Sequence, residues 1–86
     1  DVMAIGAIRA LYDRGLRVPE DVSVMGFDGL QVSDFTLPRL STVCQNAQCL
    51  ARRSLEILLE NIESPRPPRY ETIPVTVALR ESIQTV

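Results

Sequence analysis

The segment from Val18 to Asp28 constrains the fold more than any other part of this chain, because a proline-led turn runs into an apolar stretch that ends in a carboxylate. Residues 22–27 are almost all apolar, and a strand covered on both faces has such a continuous run. We therefore expect a parallel sheet with helices packed on each side. Ligands of such sheets bind beyond the carboxyl ends of the strands, which makes Asp28 the first candidate for a ligand contact. The alternative is that Asp28 only opens a turn with Gly29.

Length and charge limit the class of protein. The chain has 86 residues and therefore holds at most one small domain; a domain of that size buries only about 60% of its unfolded surface. With a net charge of −2, the chain lacks the excess of basic residues that a nucleic-acid-binding domain needs. No apolar run approaches the roughly 20 residues that span a bilayer, and the first residues do not resemble a secretion signal. We expect a soluble cytoplasmic protein that contacts no membrane and whose present residues do not bind DNA.

The residue types that usually carry catalysis or bind metals are scarce. Cys44 and Cys49 are five positions apart and match no zinc or redox motif, so they either pack in the structure or form a local disulfide. The chain has no histidine, which removes the commonest general base. It also has no phosphate loop, nucleophile elbow or cluster of metal ligands. We expect no catalytic residue, no metal site and no cofactor, and hence not an enzyme.

The first segment predicts a helix from Val2 to Arg14, with Asp1 as its N-cap and Gly15 as its C-terminal stop. The side chains at helical spacing form two stripes on neighbouring faces. One stripe consists of Ala4, Ile8 and Leu11, and the other of Ile5, Arg9 and Tyr12. A helix with two such faces needs two neighbours. One neighbour is the sheet; the other is either a second subunit or another part of the same subunit.

The middle of the chain alternates between irregular and regular segments. Residues 29–39 predict a long surface loop with room for one helical turn, in which Phe35 either contacts a partner or folds back onto the core. Residues 40–44 favour a strand. Asn46 is typical of a helix cap, and a second helix should run from about Ala47 to Ile62. This part of the chain therefore continues the alternation of strands and helices.

The last part of the chain is extended. The prolines of residues 63–69 predict a stiff connector, with a polyproline ligand as the alternative. Residues Tyr70 to Leu79 then favour an extended strand. Pro74 interrupts its hydrogen-bonding ladder and predicts either a sheet edge or a change of strand path.

Four collinear blocks carry a family resemblance: residues 1–7, 15–28, 38–45, and 73–74 together with 79–82. They resemble the carboxyl-terminal part of lactose/galactose-repressor-type transcriptional regulators, and the block Val18 to Asp28 is the most specific. The resemblance implies an α/β fold, namely a fragment of a two-lobed periplasmic-binding-protein-like domain with a parallel sheet flanked by helices. It places residues 1–45 in the carboxyl-terminal lobe, 46–79 in a crossing to a helix and strand of the amino-terminal lobe, and 80–86 in the return. The family's amino-terminal helix-turn-helix lies outside this sequence.

The resemblance also assigns roles to particular residues. Asp28 and Gln45 match positions that contact ligand in the cleft between the lobes. Asp1 matches the second member of an Asn-Asp pair, for which we expect a role as helix cap or as support for the residues that touch the ligand. Gly29 stands where the family frequently has Asp or Asn, so the ligand of this chain cannot be inferred from the ligand of a relative. The residues that resemble the family's subunit interface are Ile5, Arg9, Val32 and Phe35.

The implied function is the effector-binding and dimerisation region of a transcriptional repressor. Such a region senses a small molecule, here of the sugar or nucleobase class, by closure of the two lobes. The resemblance implies a homodimer or a larger homo-oligomer that reaches DNA only through its amino-terminal domain. The alternative is a solute-binding component of a sugar transporter, which shares the two-lobed fold.

Overall fold

A computed structural model of the chain describes residues 1–85 and shows an α/β arrangement. The elements along the described chain are α1 (Val2–Asp13), β1 (Met25–Asp28), a 3-10 turn (Gln31–Asp34), β2 (Ser41–Cys44), α2 (Ala47–Glu63) and β3 (Thr76–Ala78). The predicted helices, the turn within the loop and the strand after it are therefore all confirmed.

The strands form a sheet in the order β1, β2, β3. Strands β1 and β2 are parallel, with Met25 opposite Ser41 and Asp28 opposite Cys44. Strand β3 runs antiparallel to β2, with Val77 opposite Val43. Because β1 and β2 are parallel, their carboxyl ends lie at the same edge of the sheet, as the sequence predicts for a ligand site.

Strand β3 lies within the segment Tyr70 to Leu79 that was predicted to be extended. Its residues are hydrogen-bonded to β2, so residues 76–78 share one sheet with residues 25–28. The strand lies at an edge of the described sheet, which fits the prediction from Pro74. The division of the chain into two lobes stays a prediction.

The expectation of a strand buried on both faces is wrong for the described residues. Met25 is 43% exposed and Phe27 is 52% exposed, although both lie in β1. Helix α1 packs against β1, whereas α2 extends a molecule that measures 58 × 23 × 21 Å. Its radius of gyration of 17.8 Å exceeds the roughly 12 Å expected for a compact chain of this length. The apolar run of β1 therefore reflects a strand with too few neighbours within these residues to cover it.

The fully buried side chains are mostly polar. Leu40 is the buried apolar side chain of the described residues, and the hydroxyl residues Ser33, Ser41, Thr42 and Ser82 are buried with it. Every buried side-chain nitrogen or oxygen atom among the described residues has a hydrogen-bond partner. Burial of polar groups is tolerated only under that condition.

Ser82 joins the amino ends of the two parallel strands. Its Oγ donates to the carbonyl of Val24 at 2.6 Å and accepts from the amide of Ser41 at 2.8 Å. The amide of Val24 donates in turn to the carbonyl of Ser82 at 2.9 Å. The last described residues of the chain thus hold β1 and β2 together at the edge opposite Asp28.

Helix α2 begins at its predicted cap. The side chain of Asn46 accepts from the amide of Cys49 at 3.2 Å. Five apolar side chains of this helix are exposed, namely Leu50, Leu55, Leu58, Leu59 and Ile62. Like β1, α2 carries an apolar surface that the described residues do not cover.

Candidate functional site

The two predicted ligand-binding residues meet at the carboxyl edge of the parallel strands. Nε2 of Gln45 donates to Oδ1 of Asp28 at 2.7 Å, across a separation of 17 residues. The backbone amide of Gln45 also donates to the carbonyl of Asp28 at 3.2 Å. Both residues are exposed. The parallel register brings them together, because Asp28 ends β1 opposite Cys44, and Gln45 follows Cys44 directly.

The backbone at this corner has an uncommon conformation. Asp28 has a φ of 124° and Gly29 a φ of 78°. A residue with a side chain rarely adopts positive φ, and such strain persists only where the surroundings enforce it. Gly29 also approaches β2 closely, since a Cβ there would lie 2.8 Å from Sγ of Cys44 and 2.9 Å from its Cα. Glycine therefore suits position 29 both in its φ and in its lack of a side chain.

Asp1 lies at the N-cap position of α1, but its side chain does not cap the helix. Oδ2 accepts from the amide of Leu30 at 2.6 Å, and Oδ1 accepts from Oγ1 of Thr42 at 2.6 Å. The prediction of a side-chain cap is wrong, because these two donors already occupy the carboxylate. The other predicted role, support of the ligand-binding corner, stays a prediction that this geometry favours.

The corner presents hydrogen-bonding groups rather than reactive ones. Oδ2 of Asp28 has no hydrogen-bond partner among residues 1–85, so it can accept a donor from a ligand. A carboxylate oxygen is acceptor-only and binds hydroxyl or N–H groups strongly in a dry site. Gln45 retains a carbonyl oxygen and a second amide hydrogen for a neighbouring ligand group. The pair can therefore both accept hydrogen bonds from a polar small molecule and donate one to it.

A separate groove runs along the exposed side of α1. It has a volume of about 680 Å³ and is lined by α1, residues 15–18, Glu20 and residues 36–38. Ile5 and Arg9, two of the predicted interface residues, line this groove. Cζ of Arg9 lies 5.5 Å from the centre of the Tyr12 ring, at cation–π distance. Its lining is mainly apolar, so the groove differs in chemistry from the strand-end corner.

The structure does not place all four predicted interface residues in the groove. Val32 lies in the 3-10 turn and Phe35 directly after it, and both are exposed and outside the groove lining. Sequence reasoning missed Leu37, which lines the groove and is 94% exposed. The sequence contained a sign of this exposure, because Leu37 is an apolar residue between Thr36 and Pro38 in a polar loop, where an apolar side chain is expected to stay exposed.

Neither the groove along α1 nor a smaller cavity of about 160 Å³ beside residues 66–69 is lined by Asp28 or Gln45. A cleft between lobes needs surfaces that face each other, and the expected cleft at the strand end stays a prediction.

The described residues contain no metal-binding cluster, no disulfide bond and no membrane-spanning helix. No group of three or more His, Cys, Asp or Glu side chains is arranged to hold a metal ion in residues 1–85. Cys44 and Cys49 are both free thiols. No helix in the part of the chain that the structure describes is long and apolar enough to cross a membrane.

Comparison with known proteins identifies the family. The periplasmic binding protein-like domain family matches residues 1–83. This chain belongs to that family. Within it, the ribose operon repressor of Haemophilus influenzae is 39% identical over 88 residues, covering 100% of this chain and 26% of the repressor. The transcriptional repressor PurR of the same organism is 41% identical over 90 residues, covering 100% of this chain and 27% of PurR.

A solved structure agrees with the sequence comparison. The crystal structure of the Lac repressor dimer bound to operator and the anti-inducer ONPF has a TM-score of 0.90 and 33% identity, over 99% of this chain and 30% of that chain. The resemblance to lactose/galactose-repressor-type regulators is therefore confirmed. The chain spans about a quarter of the length of the curated relatives it matches.

Proposed function

We propose that this chain is the effector-binding and dimerising part of a ligand-responsive transcriptional repressor. The observation that carries the proposal is the hydrogen bond between Gln45 and Asp28 at the carboxyl ends of two parallel strands. That edge is where open α/β sheets bind ligands. The relatives that match the whole chain are repressors, which favours a regulator over an enzyme.

The effector is a sugar or a nucleobase. Both present several hydroxyl or N–H groups at close spacing, and the free Oδ2 of Asp28 and the amide of Gln45 offer acceptors and a donor for them. The solved relative bound to an anti-inducer supports a small-molecule ligand for the fold. Gly29 contributes no polar side chain, so affinity at this corner depends on Asp28 and Gln45.

The effector acts by a shift in population. A ligand that binds one arrangement of the two lobes more tightly than another favours that arrangement, and the change alters a distant DNA-binding domain. DNA binding belongs to a separate helix-turn-helix domain, since these residues have a net charge of −2 and no basic patch. The protein would work in the cytoplasm, where the DNA is.

The second partner is another copy of the same protein. The groove that contains Ile5 and Arg9 has a mainly apolar lining. The relative of known structure is a dimer. We assign this groove, with the exposed Val32 and Phe35 nearby in sequence, to a homodimer interface.

The alternative of a sugar-transport component is less favoured, because the curated relatives of this chain are repressors. The sequence that precedes Asp1 discriminates between the two. A helix-turn-helix there would establish the repressor, and a secretion signal or lipid-anchor cysteine would establish the transporter.

The test is a titration of the protein that carries this chain with D-ribose, D-galactose, adenine and guanine by calorimetry. We expect at least one of these compounds to bind, and Asp28→Ala to weaken that binding by about 10- to 150-fold, because a hydrogen bond to a charged group contributes about 1.5–3 kcal/mol. Glu63→Ala removes an equal charge at the far end of α2 and should leave the affinity unchanged. Equal affinity for wild type and Asp28→Ala would contradict the assignment of the site.

A further inference from the structure

Asp1 contacts the ligand-binding corner from both sides. Its backbone nitrogen donates to the carbonyl of Phe27 at 2.9 Å, and its Oδ2 accepts from the amide of Leu30 at 2.6 Å. These two partners flank Asp28 and Gly29 in the chain. One residue therefore fixes the backbone immediately before and immediately after the pair that carries positive φ.

The same carboxylate is tied to the second strand. Its Oδ1 accepts from Oγ1 of Thr42 at 2.6 Å, and Thr42 is fully buried in β2 opposite Gly26 of β1. Gly26 leaves the space that the carboxylate occupies, since a Cβ at that position would collide with Oδ1 of Asp1 and would lie 2.9 Å from Cδ2 of Leu40. Asp1 is only 8% exposed, so its hydrogen bonds form away from water and are correspondingly strong.

The usual reason for an aspartate before a helix does not apply to Asp1. Its side chain makes no hydrogen bond to the first turn of α1. The carboxylate instead joins the turn after β1 to β2, while the backbone nitrogen of Asp1 holds the end of β1. That arrangement holds Asp28 in a conformation which an aspartate does not adopt without support.

We infer that Asp1 is a positioning residue for the ligand-binding pair: its carboxylate, held by Thr42 and Leu30, sets the backbone of Asp28 and thereby the hydrogen bond from Gln45. This inference rests on the proposed function, because it concerns the same site. Asp1 does not touch the ligand. It determines where the free oxygen of Asp28 points.

The test uses the ligand-free protein, so that its outcome does not depend on whether sugars or purines bind. The readout is the side-chain amide signal of Gln45 in the NMR spectrum of protein labelled with ¹⁵N-glutamine, assigned by its loss in Gln45→Glu. A hydrogen bond to a carboxylate shifts this signal away from that of free glutamine. The variants are Asp1→Ala, Asp1→Asn and, as a control, Ser82→Ala.

Ser82→Ala is a matched control because it also removes buried hydrogen bonds between β1 and β2, but at the opposite edge of the sheet. We expect Asp1→Ala to move the Gln45 signal most of the way to its free position, and Ser82→Ala to lower stability without moving it. Asp1→Asn should restore part of the shift, because its amide oxygen still accepts from Leu30 and its nitrogen can donate to Oγ1 of Thr42.

An unchanged Gln45 signal in folded Asp1→Ala would overturn the inference, and so would an equal shift in Ser82→Ala. If Asp1→Ala does not fold, Thr42→Val takes its place, since it deletes one donor to the carboxylate and keeps the volume of the side chain. A Gln45 signal that is unaffected by Thr42→Val would then count against the role of Asp1.

Discussion

Arg53 in α2 donates two parallel hydrogen bonds to Glu71, which lies in the segment between α2 and β3. Nε lies 2.7 Å from Oε2, and Nη2 lies 2.7 Å from Oε1. The guanidinium also donates to Glu56 at 3.0 Å and lies 3.8 Å from Glu60. The hydrogen bonds that Arg53 donates to Glu71 and then to Glu56 raise the pKa of Arg53 above its ordinary value. This cluster holds the segment around Glu71 against the helix.

The Arg53 cluster predicts an acid-sensitive contact. The hydrogen bond from Arg53 lowers the pKa of Glu71 below its ordinary 4.5. A carboxyl whose pKa is lower in the folded state stabilises the fold fully above 4.5, and that contribution is lost as the pH falls through the folded value. We expect Glu71→Gln to be less resistant to urea than wild type at pH 7, and the difference to shrink below pH about 4.

The control for this prediction is Glu63→Gln, which removes a carboxylate near the end of the same helix. Its urea midpoint should differ little from wild type at either pH. A deficit of Glu71→Gln that is as large at pH 3 as at pH 7 would show that the ion pair is not its cause.

The glycines of the chain predict a graded series of alanine substitutions. Gly6 lies in α1, and a Cβ there would meet no atom within 4 Å. Gly15 has a φ of 76° and equally open space. Gly29 has a φ of 78° and would place a Cβ against Cys44.

We expect Gly6→Ala to stabilise the protein by up to about 1 kcal/mol, because alanine favours the helix. Gly15→Ala should destabilise it by about 1 kcal/mol through its positive φ alone. Gly29→Ala should cost more than Gly15→Ala, by about 1–3 kcal/mol, because it adds overpacking. Urea unfolding gives the three free energies, and an equal cost at Gly15 and Gly29 would refute the close contact with Cys44.

The φ of Asp28 predicts that glycine at position 28 gives a more stable protein than alanine, which is the reverse of the usual order. Asp28→Gly and Asp28→Ala both delete the carboxylate that Gln45 contacts, but glycine alone adopts a φ of 124° readily. We expect Asp28→Gly to have a free energy of unfolding about 1 kcal/mol higher than Asp28→Ala, although alanine is normally the more stable residue. Neither variant should bind the effector with wild-type affinity. Ala and Gly variants of equal stability would indicate that position 28 is not strained.

The groove along α1 predicts a selective effect on dimerisation. Ile5→Asp places a charge in the apolar groove, and burial of an unpaired charge in an interface is costly. We expect the dimer dissociation constant, measured by sedimentation equilibrium, to rise at least about tenfold. Met3→Asp is the matched control, since Met3 lies in the same helix, is 90% exposed and does not line the groove. A similar loss of dimer in Met3→Asp would move the interface away from the groove.

The positions of Asp28 and Gln45 were predictable because they depend on local patterns. An apolar run that ends in Asp predicts a strand end, and the break after Cys44 predicts another. Two parallel neighbours then bring both ends to one edge. The distance between the side chains was not predictable, since it depends on the register of the pairing.

The role of the Asp1 carboxylate could not be derived from the sequence. An aspartate before a helix is typical of an N-cap, and the local pattern contains no sign of Leu30 or Thr42, which are 29 and 41 residues away. The buried hydroxyls of Ser33, Ser41 and Ser82 were missed for the same reason. Serine is mostly exposed in proteins, and only the tertiary fold shows which serines are enclosed.

Burial of β1 was overestimated for a different physical reason. The apolar run indicates that the strand needs cover on both faces. The exposure of Met25 and Phe27 shows how little of that cover the described residues provide. Both describe the same strand. The difference between them measures how much apolar surface the sheet offers to further packing partners.

The enclosed hydroxyls give this region an unusual thermal response. Heat capacity rises when hydrocarbon is exposed and falls when polar groups are exposed, and the interior here consists of Ser33, Ser41, Thr42 and Ser82 around the single apolar Leu40 of the described residues. Local opening of the strand pair would therefore change the heat capacity less than the opening of a wholly apolar interior of the same size. Its free energy should curve less with temperature, so that the corner that holds Asp28 weakens less on cooling.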